Sequence, residues 1–167
     1  MRLSVVIPTA GGRHTLERAV KSARGADEVI VIENDSAPWG MRSRDAGIAQ
    51  ATGDWILFMD DDDMFAPNVF DTIRHKLENG AWHIFRMTDG VGRVWRVREI
   101  MLGNVGTPMF VVPNRPDLPK WADHEEYYGD FWFAKSCQEL LGEPQWHEET
   151  LALVRPKESL TTRWRKR

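Results

Sequence analysis

Residues 55–63 read Trp55-Ile56-Leu57-Phe58-Met59-Asp60-Asp61-Asp62-Asp63, an apolar run that passes directly into four carboxylates. The apolar part has the length and composition of a buried β-strand, and it is far too short to span a bilayer. The four aspartates begin where that strand ends. This stretch therefore predicts a sheet strand with a polar site at its carboxyl end.

The chain before residue 55 alternates between strand and helix patterns. Residues 3–7 and 29–32 are short apolar runs rich in β-branched residues, which is typical of buried strands. Apolar residues recur at helical spacing over residues 16–23, and residues 41–51 form a second amphipathic pattern. A third helix follows the aspartates, with Pro67 in its first turn and its end at Gly80. This alternation predicts an α/β fold with a mostly parallel sheet.

The carboxyl ends of the three predicted strands are all polar. They carry Pro8-Thr9, residues 33–36 and residues 60–63. Because ligands of parallel sheets bind at the carboxyl ends of the strands, these three segments should converge on one site.

The second half of the chain has a different pattern. Residues 82–87 and 91–97 are expected to be strands joined by a turn, and residues 109–112 to be a further strand. A long helix is expected over residues 123–141. No repeat or low-complexity segment indicates a second domain, so residues 1–167 are interpreted as one compact domain.

Composition excludes several classes of protein. The chain has 167 residues, of which 42% are hydrophobic and 28% are charged, as in soluble globular proteins. A single cysteine, Cys137, rules out an internal disulfide framework. No run is long enough for a transmembrane segment, and the short apolar N-terminus is interrupted by Pro8. A cytoplasmic location is the resulting expectation.

Charge is distributed unevenly along the chain. Net charge is −3, yet residues 155–167 hold six basic residues against Glu158. This basic tail, which includes Trp164, fits either a solvated terminus or a surface that binds nucleic acid or an anionic membrane.

The four adjacent carboxylates indicate a metal site. At about 5 Å and an effective dielectric near 20, each close pair of like charges costs roughly 3 kcal/mol, and a bound cation removes that cost. Along an extended backbone Asp60 and Asp62 point to one side. Two carboxylates suit Mg²⁺ or Mn²⁺, which complete their shell with water and substrate phosphate. The alternative is a solvated acidic turn that caps the following helix.

Four segments in order resemble the family 2 glycosyltransferases. They are residues 5–9, 31–36, 44–54 and 57–63, and the last contains the Asp-x-Asp pattern of Asp60 and Asp62. The resemblance implies the A-type glycosyltransferase fold, an αβα sandwich. It also implies a nucleotide-sugar half over residues 1–80, an acceptor half over residues 81–154 and the tail at residues 155–167. The implied activity is inverting transfer of a hexose-type sugar from a nucleoside-diphosphate sugar to an acceptor hydroxyl.

The resemblance also implies roles for single residues. It places the nucleotide-sugar at a set of eight positions: Pro8, Thr9, Arg13, Glu33, Asp35, Arg44, Asp60 and Asp61. Metal binding would fall to Asp62 and Asp60, with His147 as a further candidate ligand. Glu33 stands where the family usually has aspartate, which leaves the donor open between UDP, the favoured nucleotide, and GDP or dTDP.

The transfer also needs a base, because an acceptor hydroxyl is a poor nucleophile at neutral pH. The family places this carboxylate at the start of a late helix, in an acidic and aromatic segment. Asp130 is the first candidate here and Glu126 the second. The resemblance further implies a closing strand over residues 151–155, followed by a loop that folds over the donor.

Two other functions remain open from the sequence. A nucleotidyltransferase can share the sheet and the acidic metal site, although Ala10-Gly11-Gly12-Arg13 is only a faint version of its phosphate loop. A non-catalytic nucleotide-sugar-binding module is the other alternative. The acceptor itself is not specified by any motif.

Overall fold

The computed structural model describes residues 1–11, 14–33, 40–77, 80–90, 95–124 and 128–156. Seven strands form one sheet within these ranges. The strands are β1 (Leu3–Thr9), β2 (Glu28–Glu33), β3 (Trp55–Phe58), β4 (Met64–Phe65), β5 (His83–Thr88), β6 (Phe110–Pro113) and β7 (Gln145–Leu153). The helices are α1 (Leu16–Ser22), α2 (Met41–Gln50), α3 (Val69–Lys76) and α4 (Gly129–Leu141).

The sheet has the strand order β2-β1-β3-β6-β5-β7-β4. Strands β2, β1 and β3 are mutually parallel, as the alternating first half predicts. Beyond β3 the sheet is mixed, because β6 runs antiparallel to both β3 and β5 while β7 runs parallel to β5. The α/β fold class is confirmed, with the parallel order concentrated in the half that precedes the aspartates.

Hydrophobic side chains cover both faces of the sheet. On one face Val5 and Leu57 pack in a cluster with Phe70 of α3 and Ala19 of α1. On the other face Val6 and Phe58 pack with Phe133 of α4, Met41 of α2 and the indole of Trp121. Neighbouring residues of one strand thus serve opposite layers, as the two-residue period of a strand requires. Burial on both faces explains why β1 and β3 read as continuous apolar runs.

Helix α2 lies unusually close to β1. A Cβ added at Gly47 would stand 2.3 Å from Cγ1 of Val6. A side chain at this position would push the helix away from the sheet. Because Gly47 has no side chain, α2 can pack closely against β1.

Several predicted elements differ from the observed ones. Strand β4 was not predicted, because two residues are too short for any periodic signal, and α3 begins at Val69 after it. The expected strand over residues 91–97 is wrong for residues 95–97, which form no strand, and residues 91–94 lie outside the described ranges. The expected helix over residues 123–141 begins only at Gly129, after a 3₁₀ turn at Trp121–His124.

The last strand also differs from its expected position. Strand β7 covers Gln145–Leu153, whereas residues 151–155 were expected. The strand ends at Leu153, and Arg155, two residues later, has a φ of +41°, in the left-handed region. In the described parts of the chain no helix is long and apolar enough to cross a membrane.

Candidate functional site

The four aspartates form a turn between β3 and β4. The backbone N–H of Asp63 donates a 3.1 Å hydrogen bond to the carbonyl of Asp60, which closes the turn. The side chains of Asp60 and Asp62 are 37% and 21% exposed, whereas Asp61 and Asp63 are buried. The turn therefore offers alternate carboxylates to the surface and uses the other two internally. We call residues 60–63 the aspartate turn.

Thr9 connects the end of β1 to this turn. Its hydroxyl donates a 2.7 Å hydrogen bond to Asp61 and accepts one of 3.1 Å from the backbone N–H of Gly11. Thr9 and Asp61 are both predicted nucleotide-sugar residues, and the structure brings them together in a buried pair.

Two more predicted residues lie at the same sheet edge. The carboxylate of Glu33, at the end of β2, lies so close over Gly11 that an added Cβ would stand 2.3 Å from its Oε1. Pro8 lies under Gly40, whose added Cβ would be 3.0 Å from Cβ of Pro8. Both glycines have φ between +67° and +81°, which favours glycine. The three strand ends therefore converge as the sequence predicts.

Arg44 projects from the first turns of α2 into this edge. It is 4% exposed and forms an ion pair with Asp60. Its guanidinium carbon also lies 4.9 Å from the centre of the Trp121 ring, in a cation–π contact. A buried cation beside the aspartate turn offsets part of the repulsion among the carboxylates.

Asp45 holds the turn that carries Trp121. Its two carboxylate oxygens accept 2.9 Å hydrogen bonds from the backbone N–H groups of Trp121 and Ala122. Burial raises the pKa of Asp45, although these two hydrogen bonds counteract the shift. No sequence pattern indicates this role, because the partners of Asp45 are backbone groups more than 70 residues away.

Asp130 lies at the start of α4 and faces the same site. Its carboxylate accepts a 2.8 Å hydrogen bond from the backbone N–H of Phe131. Burial raises the pKa of Asp130, and the nearby charge of Arg44 opposes this effect while that of Asp60 adds to it. The structure therefore brings Asp60, Arg44 and Asp130 within electrostatic reach of one another, although they are far apart in the sequence.

The rest of the aspartate turn contacts the segment after β7. Asp62 forms a 3.0 Å ion pair with Nε of Arg155, and Asp63 accepts a 2.8 Å hydrogen bond from the Arg155 backbone N–H. Burial, together with the charges of Asp60 and Asp62, raises the pKa of Asp63 to about 8. Asp63 is thus a buried carboxyl that favours its protonated form.

His147 lies far from the aspartate turn. Its Nε2 is 3.0 Å from Nδ1 of His83, and its ring stacks on Phe85. His83 in turn contacts Trp55, which begins β3, whereas Asp60 follows the end of β3. The structure therefore does not bring His147 to the candidate metal ligands, because it lies near the start of β7, whereas Leu153 at the other end of β7 pairs with Met64 beside the aspartate turn.

Several predicted residues lie outside the described ranges. These are Arg13, Asp35, Glu126 and the basic tail from residue 157 onward. Their roles remain predictions from the sequence.

The carboxylates of the aspartate turn supply only some of the oxygen ligands that a divalent cation needs. No group of three or more His, Cys, Asp or Glu side chains is arranged around a common metal position within the described residues. Asp60 and Asp62 nevertheless supply two partly exposed carboxylates, and Mg²⁺ or Mn²⁺ commonly takes the rest of its oxygen ligands from water and phosphate. The residues present therefore fit a metal that binds together with a diphosphate.

Comparison with known proteins agrees with this geometry. Residues 39–115 match the family model for glycosyl transferase family 2. The chain is therefore related to the family 2 glycosyltransferases, and the predicted resemblance is confirmed. The matched family 2 segment contains α2 with Arg44, the aspartate turn and β6.

Curated family 2 relatives are longer than this chain. A GalNAc(5)-diNAcBac-PP-undecaprenol beta-1,3-glucosyltransferase of Campylobacter jejuni is 27% identical, with 50% of this chain and 37% of the relative covered. An uncharacterized glycosyltransferase of Haemophilus influenzae is 36% identical over 62 residues, which are 37% of this chain and 21% of the relative. The chain thus spans well under half the length of these two relatives.

Solved structures share the A-type fold of the family. Residues 1–349 of TarS from S. aureus superpose with a TM-score of 0.72 at 13% identity, covering 92% of this chain and 60% of that 1–349 fragment. Glucosyl-3-phosphoglycerate synthase of Mycobacterium tuberculosis, in complex with Mn²⁺, UDP-glucose and phosphoglyceric acid, gives 0.59 at 15% identity, covering 93% of this chain and 72% of the synthase. At such identities the likeness establishes the fold, and the predicted A-type fold is confirmed.

Proposed function

We propose that this chain is a metal-dependent, inverting glycosyltransferase that moves a hexose from a nucleoside-diphosphate sugar to an acceptor hydroxyl. The observation that carries the proposal is the meeting of Asp60, Arg44 and Asp130 at the carboxyl edge of the parallel strands. A donor-side carboxylate, a buried cation and a partly buried candidate base then share one site. That combination is what a sugar transfer requires.

Asp130 is the proposed base. In a single displacement its carboxylate takes the proton of the acceptor hydroxyl as the acceptor oxygen attacks the anomeric carbon. The bond from the anomeric carbon to the diphosphate oxygen breaks, and its electron pair leaves with the diphosphate. Burial supports this role, because it raises the pKa of Asp130 and so makes the carboxylate a stronger base.

We propose a role for Arg44 that differs from the one that the family resemblance implies. It is 4% exposed and paired with Asp60, so it is poorly placed to reach a diphosphate directly. We infer that Arg44 orients Asp60 and offsets the negative charge around Asp130. Its stacking on Trp121 holds the guanidinium in position for both tasks.

Asp60 and Asp62 would hold the metal. When bound there, Mn²⁺ or Mg²⁺ would stabilise the negative charge that develops on the departing diphosphate. His147 has no part in this proposal, because it lies near the start of β7 and only the other end of that strand pairs with Met64 beside the aspartate turn.

UDP is the favoured donor nucleotide, with GDP and dTDP as the alternatives. Support comes from two fold relatives that were solved with uridine donors: TarS with UDP-GlcNAc and the mycobacterial synthase with UDP-glucose. The C. jejuni relative is named for a lipid-linked acceptor, which makes a lipid-linked glycan one acceptor class to test here. The basic tail leaves nucleic acid and anionic membranes as further partners to test, and a cytoplasmic location remains a prediction.

A donor screen tests the proposal. The full chain is incubated with Mn²⁺ and UDP-, GDP- or dTDP-sugars, and hydrolysis of the donor is measured with and without a chelator. We expect metal-dependent hydrolysis of a UDP-sugar that is lost in Asp130→Asn. Release of pyrophosphate from a nucleoside triphosphate and a sugar phosphate would instead indicate a nucleotidyltransferase. Binding of the UDP-sugar without turnover, with candidate acceptors present, would indicate a binding module.

A further inference from the structure

Arg18 of α1 joins two segments that are distant in the sequence. Its Nη2 donates a 2.9 Å hydrogen bond to the backbone carbonyl of Asp62, and its Nη1 donates one of 3.1 Å to the carbonyl of Pro156. One planar guanidinium thus bridges the aspartate turn and the segment after β7. Neither contact involves an acidic side chain, so Arg18 is not a member of a surface ion pair with these segments.

Arg155 adds two further contacts between the same segments. Its backbone N–H donates to Asp63, and its side chain pairs with Asp62. The Arg155 side chain is 79% exposed, so the ion pair itself is screened by water and contributes little. The anchoring must then come mainly from the Arg155 backbone bond to Asp63 and from Arg18.

We propose that Arg18 is a positioning residue of the donor site, whose guanidinium clamps residues 154–156 onto the aspartate turn and so fixes the backbone that carries Asp62. This inference rests on the proposed function for the role of Asp62, although the clamp itself does not. Its geometry explains why an arginine is needed. A guanidinium donates in two directions within one plane, whereas a lysine ammonium on a flexible stem does not reproduce that fork.

The clamp matters because of where it acts. It holds the backbone of Asp62, one of the two partly exposed carboxylates, from the side of α1. The neighbouring carboxylate, Asp60, is held by Arg44 from the side of α2. Two arginines on two helices therefore set the relative positions of the two candidate ligands, one through a side chain and the other through a carbonyl.

The test compares Arg18→Lys with a matched control, Arg74→Lys. Arg74 also bridges two groups, the carbonyl of Gly25 at 3.1 Å and the carboxylate of Asp27 at 2.7 Å, away from the aspartate turn. Two quantities are measured on the full chain and both variants. The first is hydrogen exchange of the Arg155 backbone N–H without any ligand, and the second is the Kd of UDP with saturating Mn²⁺. Thermal unfolding of all three proteins is recorded alongside.

We expect Arg18→Lys to speed exchange at the Arg155 N–H and to raise the Kd of UDP about tenfold, the usual worth of a hydrogen bond from a charged donor. Arg74→Lys should change neither quantity, even if its Tm falls equally. Unchanged exchange in Arg18→Lys would overturn the clamp, and faster exchange with an unchanged Kd would overturn its positioning role. If the parent chain binds none of UDP, GDP and dTDP with Mn²⁺, the proposed function fails, while the exchange comparison still decides the clamp.

Discussion

The hydroxyl of Thr9 donates a 2.7 Å hydrogen bond to the carboxylate of Asp61, 52 residues further along the chain. Both residues are buried, and the bond joins the end of β1 to the aspartate turn. Internal aspartates of the turn thus serve as anchors, whereas Asp60 and Asp62 are partly exposed and form ion pairs with Arg44 and Arg155.

Thr9→Val tests this anchor. Valine keeps the shape of threonine but removes the donor, so a buried carboxylate loses one hydrogen bond. The free energy of unfolding should fall by about 1–3 kcal/mol, measured by urea denaturation. The matched control is Thr72→Val on the exposed side of α3, which should stay within about 0.5 kcal/mol of the parent. Equal losses in the two variants would mean that the Thr9 hydroxyl is not an anchor.

Asp62→Ala tests the metal site. Metal-dependent binding of UDP should be lost, while Tm should hold or rise because the change removes repulsion and opens no core cavity. Calorimetry with UDP in the presence and absence of Mn²⁺ measures this. Asp117→Ala removes an exposed carboxylate paired with Arg115 and serves as the control, with binding expected to match the parent. Mn²⁺-dependent UDP affinity that survives in Asp62→Ala would exclude Asp62 as a metal ligand.

Asp130→Asn tests the base. Donor binding should be retained while transfer falls about 100-fold or more, the usual contribution of a positioned base. In the parent chain transfer should fall as the pH drops through the pKa of Asp130, which lies above the ordinary aspartate value because the side chain is partly removed from water. The residual transfer rate of Asp130→Asn should not show this decrease at low pH. If Glu126→Gln gives the loss and Asp130→Asn does not, the base lies four residues earlier in the chain.

Asp63→Asn tests the buried carboxyl of the turn. The pKa of Asp63 is raised to about 8, whereas an unfolded aspartate titrates near pH 4. Between these values the unfolded chain loses the proton and the folded chain keeps it, so the parent loses stability as the pH rises. Asparagine keeps the acceptor for the Arg155 N–H without titrating.

The Tm of Asp63→Asn relative to the parent should therefore rise by at least about 4 °C between pH 4 and pH 8. Both proteins are scanned with a chelator present, so that a bound cation does not hold Asp63 ionised. A Tm difference that is constant across this range would contradict the raised pKa.

The first half of the fold could be predicted from the sequence because each element there carries a strong periodic signal. Strands β1 and β3 are buried on both faces and are therefore continuous apolar runs, and polar residues follow each of them directly. The meeting of Asp60 with Asp130 was also anticipated, through the family resemblance. The sequence did not predict that Arg44 would be buried next to Asp60 and in contact with the Trp121 ring.

The second half was harder because its elements depend on contacts that leave no periodic pattern. Strand β4 has two residues and exists through pairing with β7. The turn at Trp121 is held by Asp45, and Arg18 acts on backbone carbonyls, which any residue provides. His147 is the opposite case, since its residue type suits a metal but its position near the start of β7 keeps it away from the aspartate turn.

Two contacts join positions about 90 residues apart in the sequence. Met64 pairs with Leu153, and the Asp62 side chain pairs with Arg155. Loops of that length close late, because their entropy must be overcome before the contact stabilises anything. During synthesis the three parallel strands can assemble while the aspartate turn still lacks its last contacts. The donor site should therefore be among the last parts of this protein to become rigid, and substitutions at Arg155 should speed unfolding more than they slow folding.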